Sequence, residues 1–360
     1  MEVVKGTREI RKIAVLGAGS WGTALASVLS RPPVRDTPFL SPMRVVLWAR
    51  RKSCADEIAK QHMNSQYLGR VQLPNSLWAT SDLQAAVQDA DVLLFAVPAV
   101  AMRMVAKMAL PWICPDVCVV HAAKGFEPGT RKRMSEVLKE TLPVCHRLDP
   151  VALAGPSHAE EVVRSLPVAT VAASPSLTHA QILQALLSRP HFRVYTNTDI
   201  IGVEIAGALK NIVALASGLA DGLQLGDNAK AALLTRGLAE ICRFGQLQGA
   251  RMDTFLGLAG VGDLVVTCNS QHSRNLRAGR LFSQGMDLEH VLRELGMVVE
   301  GIETTRSVHR MAQQLGVTMP ITAALYEVLF SQGDPRQIVQ QLMQRQYGRE
   351  YSPGTMKNSR

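Results

Sequence analysis

Lys210 stands in the run Glu204-Ile205-Ala206-Gly207-Ala208-Leu209-Lys210-Asn211, within a stretch, 200–219, that is apolar almost all round. Such a stretch forms a buried central helix, not an amphipathic surface one. Burial strips the ammonium of water and pulls its pKa from about 10.4 toward neutrality, which makes the amine a usable proton donor or acceptor. A lysine that reaches solvent along its own stem, or pairs with Glu204, would fit the same residues. Lys124 follows an apolar run and precedes Gly125, which places it at the carboxyl end of a strand. Open α/β sheets bind ligands there, although a strand-end lysine is also an ordinary solvated loop residue.

Three further segments carry polar groups at element ends. Gly155-Pro156-Ser157-His158 follows another short apolar run, with Ser157 either an N-cap or a ligand contact. His158 and Glu160-Glu161 suit the first turn of a helix and match neither a zinc helix nor a catalytic triad. Asp263, in Gly260-Val261-Gly262-Asp263-Leu264, starts a helix or serves a site. Ser273-Arg274-Asn275 sets a guanidinium between neutral donors, which suits a phosphate and equally a hydrated helix entry.

These residues need a frame, and the N-terminal segment Ile13-Ala14-Val15-Leu16-Gly17-Ala18-Gly19-Ser20-Trp21-Gly22-Thr23 supplies one. An apolar strand runs into a G-x-G-x-x-G turn and then into small helix-forming residues. Gly17 permits the tight turn, Gly19 lets backbone approach a pyrophosphate, and Gly22 lets the helix pack on the sheet. Strand-like runs at 12–16, 44–48, 91–97, 117–122, 151–154, 168–172 and 192–195 alternate with helical stretches. Residues 31–42 hold four prolines and read as a surface insertion in the first crossover. From about Thr198 helical periodicity takes over through Leu342. The expected fold is an α/β N-terminal Rossmann-type domain with a mostly parallel sheet (1–197), then an all-α C-terminal domain (198–346) and a loose tail (347–360).

Composition narrows the class. A chain of 360 residues with 47% hydrophobic content can bury two cores. With 19% charged residues and no long uncharged run, no membrane span is expected, and the mixed-charge start lacks the apolar core of a secretion signal. The cytoplasm is the expected compartment. Six cysteines, at 54, 114, 118, 145, 242 and 268, contain no C-x-x-C pair, so free thiols and no metal are expected. The net charge of +9 is dispersed and aromatics are 5%, which suits anionic small molecules and argues against nucleic acid. Met102, Met104 and Met108 read as core filler.

Taken together the motifs resemble the NAD(P)-dependent glycerol-3-phosphate dehydrogenases, in particular the bacterial type, over nearly the whole chain. The residues that carry the likeness are the glycine turn with Ser20-Trp21, Lys124-Gly125, Ala154-Gly155-Pro156-Ser157, Glu204 to Gly218, Gly226-Asp227-Asn228-Ala229-Lys230, Gly260 to Asn275, and Val299-Glu300-Gly301. The resemblance implies reversible reduction of dihydroxyacetone phosphate to sn-glycerol 3-phosphate by NADPH or NADH, supplying the backbone of glycerophospholipids. It implies Lys210 as acid and base, Lys124 in contact with both ligands, and Asp263 orienting the lysine. Gly155, Ser157, Ser273, Arg274 and Asn275 would hold the substrate. Ser20, Trp21, Ala159, Arg274, Val298 and Glu300 would line the cofactor.

The chain departs from the NAD fingerprint after the second strand, where Arg50-Arg51 stands in place of an acidic residue. An arginine there can hold a 2′-phosphate or stack on adenine, and NADPH use with NADH accepted is the expectation. Helical second halves of this kind often pair, so a homodimer is expected. Two other functions suit parts of the pattern: a two-domain hydroxyacid or ketopantoate-type reductase, and an NADPH-binding regulator without chemistry.

Overall fold

A computed structural model describes residues 9–33, 40–143, 149–296, 298–331 and 333–345. The expected tail at 347–360 and Cys145 lie outside the described residues. An eight-stranded sheet comprises β1 (Ile10–Leu16), β2 (Leu40–Trp48), β3 (Trp78–Thr80), β4 (Val92–Phe95), β5 (Cys118–His121), β6 (Val151–Ala154), β7 (Val168–Ala173) and β8 (Phe192–Asn197). Its order, β3-β2-β1-β4-β5-β6-β7-β8, begins with the doubly wound nucleotide-binding order. All pairings are parallel except β6 with β7, so the sheet is mostly parallel as expected.

β1 lies between β2 and β4 and is covered on both faces, which explains its unbroken apolar run. Ile13 and Val15 join Leu25 and Val28 in one core, while Ala14 and Leu16 point the other way into a second with Phe95 and Val105. This is the period-two alternation of a pleated strand. A third, small cluster joins Ala152 and Ala154 of β6 to Ile200 and Val203, and so seats the helical half on the sheet.

That half is organised around one helix, Ile200–Gly222, buried along nearly its whole length. Asp199 caps it by accepting from the backbone of Gly202 at 2.8 Å. By length and composition it could cross a membrane, but 94% of its apolar window is buried inside this protein, as the core helix of a folded domain is. The helix Arg274–Ser283 crosses it at Gly279, where an added Cβ would come within 2.0 Å of the Leu215 carbonyl oxygen. That close approach holds Ser273, Arg274 and Asn275 against the central helix.

Three expectations need correction. β2 starts at Leu40, so the end of the supposed insertion belongs to the sheet, while 34–39 lie outside the described residues. β3 was not expected, because three residues give no alternation to read. Met102 is fully buried, but Met104 and Met108 are 50% and 46% exposed, because only one side of the helix Met102–Ala109 faces the sheet.

Candidate active site

The glycine turn comes first, at the carboxyl end of β1. Gly17 has φ of +115°, and a Cβ on it would meet the Ala96 carbonyl oxygen at 2.7 Å. At Gly22 a Cβ would fall 1.9 Å from the Gly17 oxygen, so this glycine serves helix packing. Gly19 differs: nothing lies within 4 Å of where its Cβ would be. Its missing side chain therefore leaves open space directly before the helix Ser20–Leu29, whose N-terminus has no side-chain cap. Free backbone N–H groups facing open space fit a pyrophosphate, so the turn fits a dinucleotide. Buried Asn64 braces the turn by donating to the Ala18 carbonyl at 3.0 Å and to Thr23 at 2.8 Å. No spacing rule singles out Asn64 from sequence.

The second part is a cluster of three charges. Lys210 is 5% exposed and Asp263, opening the helix Asp263–Asn269, is 1% exposed. Lys210 Nζ donates to Asp263 Oδ1 and, at 2.7 Å, to Thr267 Oγ1. Lys124 Nζ reaches the other oxygen of Asp263 at 2.9 Å and lies 3.5 Å from the Gly155 carbonyl. Gly207, one turn before Lys210, lies against Lys124, its absent Cβ 3.7 Å from Lys124 Cγ. Thr267, four residues after Asp263 on the same helix face, donates to the Asp263 carbonyl at 2.6 Å. Its spacing from Asp263 was the available sequence signal.

Burial pulls the Lys210 amine down to about 7, with Asp263 opposing and Lys124 reinforcing the shift. Burial alone would raise the Asp263 carboxyl, but Lys124 and Lys210 overcome it and hold the group below its ordinary value. Two cations thus share one carboxylate. Lys210 carries three N–H donors and spends two, so one remains for a reacting oxygen. The alternative pairing with Glu204 is not formed: Glu204 binds Arg133 at 2.8 Å and lies 3.1 Å from His121 Nε2.

The other named residues surround this junction. Ser157 Oγ donates to the Gly155 carbonyl at 2.9 Å, and Ala159 opens a short buried turn beyond it. Ser273 caps its helix by accepting from the Leu276 backbone at 3.3 Å. Asn275 donates to Asn211 Oδ1 at 3.0 Å and accepts from the Gly301 backbone at 2.9 Å, tying three helices together. Arg274 donates to the Val298 carbonyl at 3.1 Å. Glu300 stands where a Cβ on Gly125 would be 3.4 Å from its Oε2. Burial pushes its carboxyl up to about 7 against the pull of Arg274. Trp21 keeps its indole N–H buried without a partner.

Arg50 and Arg51 lie exposed beyond β2, and Arg51 is engaged with Gln66 and sits 5.9 Å over the Tyr67 ring. Arg50 is the arginine without such a contact among the described residues. No group of three or more His, Cys, Asp or Glu fit to hold a metal occurs among the described residues. The described cysteines, at 54, 114, 118, 242 and 268, are free thiols.

A doubly wound sheet with an open glycine turn, whose strand-end Lys124 meets through Asp263 a buried amine drawn to about 7 in the helical half, defines a dinucleotide-dependent oxidoreductase. The family described as NAD-dependent glycerol-3-phosphate dehydrogenase matches through its N-terminus at residues 12–180 and its C-terminus at 199–340. The chain belongs to this family. A glycerol-3-phosphate dehydrogenase [NAD(P)+] of Bacillus subtilis is 49% identical over 336 residues, covering 93% of this chain and 95% of the relative. One from Bacillus velezensis is likewise 49% identical, with the same coverage. The crystal structure of glycerol-3-phosphate dehydrogenase from Coxiella burnetii superposes with a TM-score of 0.86 at 38% identity, covering 93% of this chain and 99% of that one. A ketopantoate reductase from Ralstonia eutropha shares the fold alone, at 18% identity and a TM-score of 0.56.

Proposed function

We propose that this chain reduces dihydroxyacetone phosphate to sn-glycerol 3-phosphate, and runs the reverse reaction, with Lys210 as the group that gives and takes the proton. Family membership and the near-half identity to enzymes of that name support the reaction. One observation supports the role of Lys210 above all: its amine is buried, drawn to about 7, and still has one N–H without a partner. When bound, the nicotinamide cofactor supplies or removes a hydride at C2.

In reduction, Lys210 protonates the oxygen that becomes the C2 hydroxyl, and Lys124 steadies the negative charge developing there. Asp263 and Thr267 fix the direction of the Lys210 amine. In oxidation, the neutral amine accepts the hydroxyl proton. Arg274, with Ser157, Ser273 and Asn275 around it, holds the substrate phosphate, for which a guanidinium is the best geometric complement. Gly17, Gly19, Ser20, Trp21, Gly22 and Ala159 receive the cofactor, with Arg50 and Arg51 at its 2′-phosphate and Lys124, Arg274, Val298 and Glu300 toward the substrate side. Residues 1–197 act as the cofactor half and 198–346 as the substrate half.

The product would feed glycerophospholipid synthesis in the cytoplasm. The working form would be a homodimer, for which the exposed Leu247, Met252 and Leu256 of the helical half offer an apolar face. Light scattering on the purified chain should give twice the monomer mass. The reaction itself is tested by following reduced-nicotinamide absorbance with dihydroxyacetone phosphate. Lys210→Ala should abolish turnover while NADPH still binds; normal turnover would remove the assignment.

A further inference from the structure

The turn at residues 128–131 and one face of the helix Glu300–Leu315 enclose a cleft of about 190 Å³, lined by Arg131, Glu303, Arg306, Ser307 and Arg310. Positions 303, 306, 307 and 310 fall on one side of a helix. Three guanidiniums therefore face one carboxylate. Arg306 pairs with Glu303 at 3.2 Å and sits 4.4 Å over the Phe330 ring. Arg131 reaches only a neutral group, Gln314, at 3.0 Å, and Arg310 has no hydrogen bond or ion pair among the described residues. Two positive charges are left uncompensated. Ser307 is 7% exposed, and its hydroxyl has no partner among the described residues. Two guanidiniums without a counter-charge beside a hydroxyl on the cleft wall make a set of donors that suits an anion.

The turn is preset. Arg131 holds a left-handed φ of +60°, with its N–H on the Glu127 carbonyl at 2.8 Å and the Glu127 N–H on the Lys132 carbonyl at 2.9 Å. The Glu127 carboxylate is gripped by Arg103 at 2.7 and 2.8 Å. Both walls of the cleft lead to the catalytic junction. The turn continues the chain from Lys124-Gly125, and the helix begins with Glu300, which lies beside Gly125.

We propose that this cleft binds a phosphomonoester dianion, and that bridging Arg131 to Arg306 and Arg310 draws the turn onto the helix and adjusts Lys124 and Glu300. Paired guanidiniums match phosphate oxygens in geometry as well as charge, and Ser307 adds a neutral donor. Glu303 stays neutralised by Arg306, which leaves the charge of the cleft equal and opposite to that of the ligand. The phosphate could come from a free phosphorylated metabolite or from the headgroup of a lipid such as phosphatidate.

Inorganic phosphate is the probe, titrated calorimetrically into an Arg274→Ala background that weakens the substrate phosphate site. Binding should persist there and weaken at least about tenfold on adding Arg310→Glu or Arg131→Gln. No binding in Arg274→Ala, or binding indifferent to both further changes, would overturn the site. Calorimetry does not depend on the proposed reaction. A kinetic arm does: in the otherwise unaltered enzyme, phosphate should lower kcat as well as compete with substrate, and Arg310→Glu should lose only the kcat effect. Purely competitive inhibition would overturn the link to the catalytic junction. Cosedimentation with phosphatidate vesicles, lost in Arg310→Glu, would assign the lipid source, and its absence the soluble one.

Discussion

The central helix carries two buried ionic clusters six residues apart, one around Glu204 and one around Lys210. Glu204 accepts from the Ser135 backbone at 2.7 Å, the Ser135 hydroxyl at 2.6 Å and Arg133 at 2.8 Å, with His121 at 3.1 Å. Burial works to raise its carboxyl, yet His121, Arg133 and Ser135 more than offset this and hold it below its ordinary value. Three donors hold the carboxylate, with His121 beside them, and the cluster joins the helix Met134–Thr141 to the core of the other half. Lys210 is as deeply buried, but its one carboxylate is shared with a second lysine and one donor is left over. A saturated cluster fixes the fold. An unsaturated one keeps a proton available, and the difference lies in the count of partners, not in depth.

Changing each cluster should therefore break different things. Lys210→Met removes the proton donor, and kcat should fall by about a thousandfold or more while NADPH affinity and melting temperature stay near their original values. Steady-state kinetics with fluorescence titration checks this; a matching loss of NADPH binding would make Lys210 a structural residue. Glu204→Gln takes the buried charge away from half-buried Arg133, which keeps only the more exposed Glu136 at 3.0 Å, so stability should drop by about 2 kcal/mol in denaturant unfolding, with the pH dependence of turnover unmoved. A shifted pH midpoint there would erase the contrast. Outside both clusters, Arg50→Ala should lower kcat/KM for NADPH about tenfold and leave NADH nearly unchanged. An equal loss with both cofactors would assign Arg50 to adenine stacking.

Much of the frame was legible because it rests on local rules. The glycine turn announces its strand and helix, and residues 200–219 are apolar almost all round, which marks a helix that is buried along its length. β3 and the reversal at β7 are set by tertiary pairing, and no local pattern records them. Within the site, Lys210 was suspect by its surroundings alone. Its partner was not: Asp263 is 53 positions away, and only the resemblance linked the two. Asn64 and the arginine cleft were invisible for the same reason, since side chains from distant segments meet there without any spacing rule.

The central claim is that Lys210 is a buried amine of near-neutral pKa that exchanges the substrate proton. The most direct measurement is the pH profile of kcat/KM for reduction, in the unaltered enzyme and in Lys124→Met. Reduction needs the protonated amine, so the rate should fall as pH rises through about 7, where burial has drawn Lys210. Losing the neighbouring cation favours the protonated form, so Lys124→Met should move that fall to higher pH, even as KM rises. A falling limb that stays at the same pH in both proteins would place the titrating group elsewhere and contradict the account.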